Sequence, residues 1–390
     1  MTTERFRHGT PNGGEAEAGA ERPPAGGGPR GRGRWAPAAA VLWSTAYACA
    51  ALYWALSGRG FPFADVQHLS IAPLAARFGE GPAWAAVVAA GLPAAAAGAA
   101  MLSGTRAGRP LLVAAGTAVS ALLLFGMTDV LLLQAVGYVP YSVVGLLTGS
   151  EVGAAFLETV FSWGMLHRVA CLAGGFLWAV ATVAYARSSA DRCLRCGRGE
   201  ASRTWTAPRS AARWGRAAVL VAVVPPLLYA TTRFAWALGV PLGISREFLR
   251  EGQQSGMWVA GAFLAGFAVV GAVLTLGLIQ RWGEVFPRWM PGLAGRRVPV
   301  ALAVVPASLA AVLLIVGGFA MLSGYAEMVA SNTTGGEQDA IGGLVALSGG
   351  LFPVWGAALA AAALAYHLRR RGACPECGRG GAPEEAARAR

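Results

Sequence analysis

Two short stretches of the chain carry chemistry in their spacing. "RCLRCGRG" occupies 192–199 and "ACPECGRG" occupies 373–380; both read Cys-x-x-Cys-Gly-Arg-Gly, at an offset of 181 residues. Two cysteines separated by two residues present both thiolates from one tight turn to a single metal, and the glycine that follows takes the backbone shape closing the turn. Pro375 pre-sets that turn in the second copy. One such knuckle supplies half of a tetrahedral thiolate site. Cys193, Cys196, Cys374 and Cys377 together therefore predict one structural Zn²⁺ site split across the chain. Arg192, Arg195, Arg198 and Arg379 flank the sulfurs, favour thiolate and offset its charge. Three other readings of the pattern stay open: a thiol-redox pair, structural disulfides, and a metal shared between two copies of the chain. Reactive thiol pairs usually start a helix in a thioredoxin-like βαβ unit, absent here, and a reducing cytosol opposes disulfides. Cys49 and Cys171 fall in apolar runs and read as small apolar residues.

The elements that must position the knuckles are membrane helices. Of 390 residues, 55% are hydrophobic and only 13% charged, against about 25% charged in a soluble domain. Apolar runs at roughly 35–56, 82–104, 110–136, 161–186, 216–239, 257–280, 299–323 and 343–367 each approach or exceed the roughly 20 residues a spanning helix needs. This predicts an all-α polytopic membrane protein of about eight spans. Pro93, Pro225, Pro226, Pro306 and Pro353 fall inside the spans, where neighbouring helices re-satisfy freed backbone groups. The knuckles follow the fourth and eighth spans.

Every basic side chain apart from histidine is arginine, as a GC-rich bacterial genome produces; no lysine is present for Schiff-base or general-base work. With the N-terminus inside, 26 of the 32 arginines fall on the inner side and only Arg59, Arg77, Arg246 and Arg250 outside. The positive-inside rule therefore predicts both termini in the cytoplasm of a plasma membrane. The net charge of +12 is accounted for by topology and by attraction to anionic inner-leaflet lipid, which leaves no nucleic-acid reading. Residues 1–34, rich in Gly, Pro, Glu and Arg, cannot bury a core and are expected to be a disordered cytoplasmic tail; 381–390 is expected to be a loose end. The long charged leader and the length of the first apolar run argue against a cleaved signal peptide.

The knuckles are not the only features that recur. "YACAALYWALSG" at 47–58 matches "YATTRFAWALGV" at 229–240 at an offset of 182. Arg34-Trp35 matches Arg213-Trp214 at 179, and Ala184-Tyr185 matches Ala365-Tyr366 at 181. A constant offset predicts a duplication: a repeat at 35–200 and another at 213–380, each of four spans and each ending in a knuckle. An even span count makes the repeats parallel, related by an axis along the membrane normal, with sites expected where the halves meet. Tyr53-Trp54-Ala55-Leu56 and Trp236-Ala237-Leu238 resemble a small four-helix membrane domain of unknown function from high-GC bacteria, here doubled; the resemblance implies no activity.

Four ionisable residues fall within spans: Asp129, His167, Arg168 and Arg233. Intramembrane charges are costly and face a partner or a cavity. Counting from the span ends at about 1.5 Å per residue places all four in the outer third. None has an ionisable counterpart one repeat away: Asp129 corresponds to about Ala310, Arg233 to about Ala51 and His167 to about Ser348. They predict either an outward-facing pocket between the halves for an anionic solute or lipid, rimmed by Tyr138, Tyr141, Tyr229 and Thr232, or a structural salt bridge of Asp129 with Arg168 or Arg233. The chain holds no phosphate loop, nucleophile elbow, HExxH or kinase motif. Three function classes follow: a transporter-like or lipid-handling protein, a non-catalytic scaffold, partner subunit or sensor docking a cytoplasmic protein through the knuckles, and, with least support, a membrane enzyme of thiol or lipid chemistry.

Overall fold

The computed structural model describes residues 34–60, 80–199, 204–330 and 349–380. The tails expected to be loose, apart from Arg34, lie outside the described residues, as do 61–79 and 331–348. Among the described residues every regular element is helical, with one isolated bridge between Val285 and Arg297. In chain order the helices are α1 (Trp35–Ser57), α2 (Glu80–Ser103), α3 (Arg109–Ala121), α4 (Val130–Thr148), α5 (Glu151–Val160), α6 (Trp163–Ser188), α7 (Pro208–Ala237), α8 (Arg246–Gln254), α9 (Met257–Gly277), α10 (Val300–Ala330) and α11 (Phe352–Arg370).

Among the described residues seven segments are long and apolar enough to cross a membrane: α1, α3 with its extension to Gly126, α4, α6, α7, α9, and α10 as far as Gly324. In α2 the apolar stretch is the shorter Ala90–Ser103, and α11 ends in the basic residues His367, Arg369 and Arg370. The eight expected spans therefore do not map onto the helices one for one. The run 110–136, expected as a single span, is two helices. After α3 the chain makes a wide π turn over Leu122–Gly126, breaks, and restarts as α4 at Val130. Polar side chains allow the break. The Asp129 carboxylate accepts from the Leu131 N–H at 3.0 Å, capping α4, and the Thr128 hydroxyl donates back to the Leu124 carbonyl. Backbone groups freed inside hydrocarbon need such partners.

Helix pairing follows one plan twice. α1 lies along α2 while α6 packs on α1 and α3; α7 lies along α9 while α11 packs on α7 and α10. Small residues let the backbones approach, the usual means of helix association in lipid. Gly174 of α6 seats the Trp43 ring of α1, and Gly215 of α7 meets Ala365 of α11. One core gathers Ala40, Ala51, Met101, Trp178 and Tyr185; a second gathers Val219, Ala222, Ala265, Leu314 and Tyr366. Leu132 of α4 and Leu313 of α10 share a third cluster with Leu124, Met165 and Leu172, which joins α4 and α6 to α10. α4 also packs on α9, wedged beside α9 and α10 of the second core.

Candidate metal centre and buried polar groups

α6 and α11 end at the same level of the molecule, and each delivers a knuckle. The two turns have the same construction. The Gly197 N–H donates to the Cys193 carbonyl at 2.8 Å and the Cys193 N–H to the Arg198 carbonyl at 3.1 Å; Gly378 with Cys374, and Cys374 with Arg379, repeat these bonds at 2.8 and 3.0 Å. Gly197 and Gly378 hold φ of 71° and 66°, the left-handed region a glycine adopts without strain. The turns face each other. Cys193 Sγ lies 3.7 Å from Cys374 Sγ, Cys196 Sγ lies 3.6 Å from Cys377 Sγ, and all four sulfurs fall within 4.8 Å of one another. A tetrahedral zinc with Zn–S bonds of about 2.3 Å separates its sulfurs by about 3.8 Å. A disulfide would need about 2.05 Å. The donor set thus fits a tetrahedral metal and is open at disulfide distance.

Arginines join the two turns through backbone carbonyls. Arg198 Nη1 donates to the Arg379 carbonyl at 2.7 Å and Arg379 Nη1 to the Arg198 carbonyl at 3.3 Å. Arg371 Nη1 reaches the Cys196 carbonyl at 2.7 Å, and Arg187 Nη1 the Leu194 carbonyl at 2.7 Å. Arg195 stands 3.8 Å from Glu376 across the gap. Both sulfur pairs and the reciprocal Arg198–Arg379 bonds connect residues 181 apart. The thiols differ in acidity. Burial pushes Cys377 up to about 12, with the neighbouring thiols adding to it, and burial raises Cys196 against the lowering effect of the Arg198 N–H and the Cys377 thiol. For Cys374, burial acts upward but is outweighed by the N–H groups of Cys377 and Glu376, which bring it down to about 7.

The four intramembrane groups do not form one pocket. Asp129 and Arg168 meet in an ion pair at 2.6 Å between Oδ2 and Nε, both side chains under 5% exposed. His167, one residue before, turns to α1, where its Nε2 stands 2.7 Å from the Tyr47 hydroxyl and 3.6 Å from Cys171 Sγ. Arg233 lies apart on α7, its guanidinium over the rings of Tyr229 (4.7 Å) and Trp236 (4.4 Å). Arg233 Nη1 is buried without a hydrogen-bond partner among the described residues. Of the expected rim, Tyr138 and Tyr229 line a cavity with Arg233, whereas the Thr232 hydroxyl is satisfied by its own helix. The cavity has a volume of about 1330 Å³, with walls supplied by α4, α7, α9, α10 and α11.

Sequence reasoning missed Tyr47 and Arg371. Tyr47 meets His167 across 120 residues and Arg371 meets the first knuckle across 175, separations that no local pattern encodes. The break before α4 did leave a signal: Asp129 directly before the apolar run "VLLLQAV" is a helix-start signature. Compared with family models, with curated proteins and with solved structures, the chain has no match.

Proposed function

We propose that this chain is a bacterial plasma-membrane protein of transport-like, non-enzymatic function, built from two parallel repeats with both termini in the cytoplasm. Its knuckles bind one structural Zn²⁺ through Cys193, Cys196, Cys374 and Cys377, clamping the repeats together on the cytoplasmic side. The observation that carries this reading is the cluster of four sulfurs within 4.8 Å of one another. The duplication is supported by contacts joining residues 181 apart and by Tyr185 and Tyr366, 181 apart, whose hydroxyls donate to the loop carbonyls of Thr105 and Gly283. The transport-like role is supported by the cavity that reaches Arg233. The clamp sits at the opposite ends of the helices from Arg233, so it is read as holding the halves rather than acting on a solute.

Zinc-edge X-ray absorption of the purified protein tests the site. Four sulfur neighbours at about 2.3 Å are expected. A first shell containing nitrogen or oxygen contradicts an all-cysteine site.

A further inference from the structure

The cavity beside Arg233 has the chemistry of an amphiphile site. α9 and α10 pack on α4 and make no extensive contact with each other, whereas their counterparts α2 and α3 do touch. The gap is lined by hydrocarbon and aromatic side chains from Gly261 to Gly277 along α9, a length of about 24 Å at 1.5 Å per residue. That exceeds the roughly 15 Å one leaflet's chains span. Its volume, about 1330 Å³, exceeds the roughly 300–1,000 Å³ of ordinary small-molecule pockets.

Formal charge is confined to one end. There Arg233 stands beside Gly261 and near Tyr138, and among the described residues that line the cavity no carboxylate answers it. The rings of Tyr229 and Trp236 hold the guanidinium in place, but a ring face does not neutralise a full charge in hydrocarbon. An anion at this end would supply the charge-assisted hydrogen bonds the guanidinium lacks.

We infer that the cavity between α4, α9 and α10 binds an anionic phospholipid, its phosphate on Arg233 and its acyl chains along the aromatic wall toward Trp282. The inference deepens the transport-like reading and rests on it by naming the class of its ligand. No bond is made or broken.

The test is native mass spectrometry of the full-length protein exchanged into equal amounts of phosphatidylglycerol and phosphatidylcholine. Wild type and Arg233→Lys are expected to retain phosphatidylglycerol over phosphatidylcholine by about tenfold, and Arg233→Gln to lose the preference. Gly271→Phe, which projects a ring into a space whose nearest neighbour is Trp355, is expected to lower retention of both lipids. Equal retention in wild type, or selectivity unchanged in Arg233→Gln, overturns the anion claim. If both lipids bind equally and Gly271→Phe removes both, the lipid-handling reading survives without the anion. If no lipid is retained and Gly271→Phe changes nothing, both readings fall. Should Arg233→Gln not fold, wild-type selectivity alone decides.

Discussion

At Asp129 one carboxylate does two jobs. It caps α4 and it neutralises Arg168, and neither role is exposed to water. Removing one partner of a buried pair strands the other. Asp129→Asn is therefore expected to destabilise by about 3–5 kcal/mol, while Asp129→Leu combined with Arg168→Met costs less than the sum of the single changes. Reversible unfolding in mixed micelles measures both; strict additivity would contradict the pairing. The knuckle gives a second prediction at this scale. Cys374 is depressed to about 7 in the fold, below the ordinary thiol near 8.5. A depressed acid stabilises above its unfolded value, and the contribution is lost as pH falls through the folded one. The raised Cys377 acts only above the ordinary value. Metal-free protein should thus lose thermal stability as pH drops from about 8.5 through 7, and Cys374→Ser should flatten that slope. The residue types at both sites were legible, because charges in apolar runs and CxxCG turns are local signals. The partner of each charge was not: Asp129 finds Arg168 across 39 residues, and Arg233 finds ring faces instead of a carboxylate.

At the scale of elements, hydrophobic runs predicted where most helices lie, because a helix is the simplest chain segment that satisfies its own backbone in lipid. The run 110–136 misled because Met127 to Asp129 interrupt it without a proline or a charge cluster. The signal there was a capping residue, which continuous hydropathy outweighs. Packing between helices was less legible still, since it depends on which glycines face which rings. Gly174 faces Trp43 closely, so Gly174→Leu should force α6 off α1 and cost about 1–3 kcal/mol. Gly266 on α9 meets nothing nearby, and Gly266→Leu should leave the melting temperature close to wild type. Equal effects at the two sites would contradict the packing.

For the whole molecule, the arginine distribution predicts an orientation and the offset of 181 predicts two halves; the contacts between knuckles join residues at that same offset. How α4 departs from the first core to wedge beside α9 and α10 was hidden, because the run 110–136 reads in sequence as one continuous span. Orientation has its own test. A fluorescent protein fused after Arg390 should fold and glow, and alkaline phosphatase at the same place should stay inactive; the reverse pattern would place the knuckles outside and contradict the cytoplasmic clamp. The central claim is that two half-sites from the two ends of the chain make one metal centre. The most direct measurement is the zinc-to-chain ratio of protein purified without added metal, for wild type and for Cys193→Ser and Cys377→Ser separately. The account predicts close to one zinc per monomeric chain and its loss in either variant, one from each knuckle. Metal-free wild type with four titratable thiols, or zinc retained when one whole knuckle is replaced by serine, would contradict it.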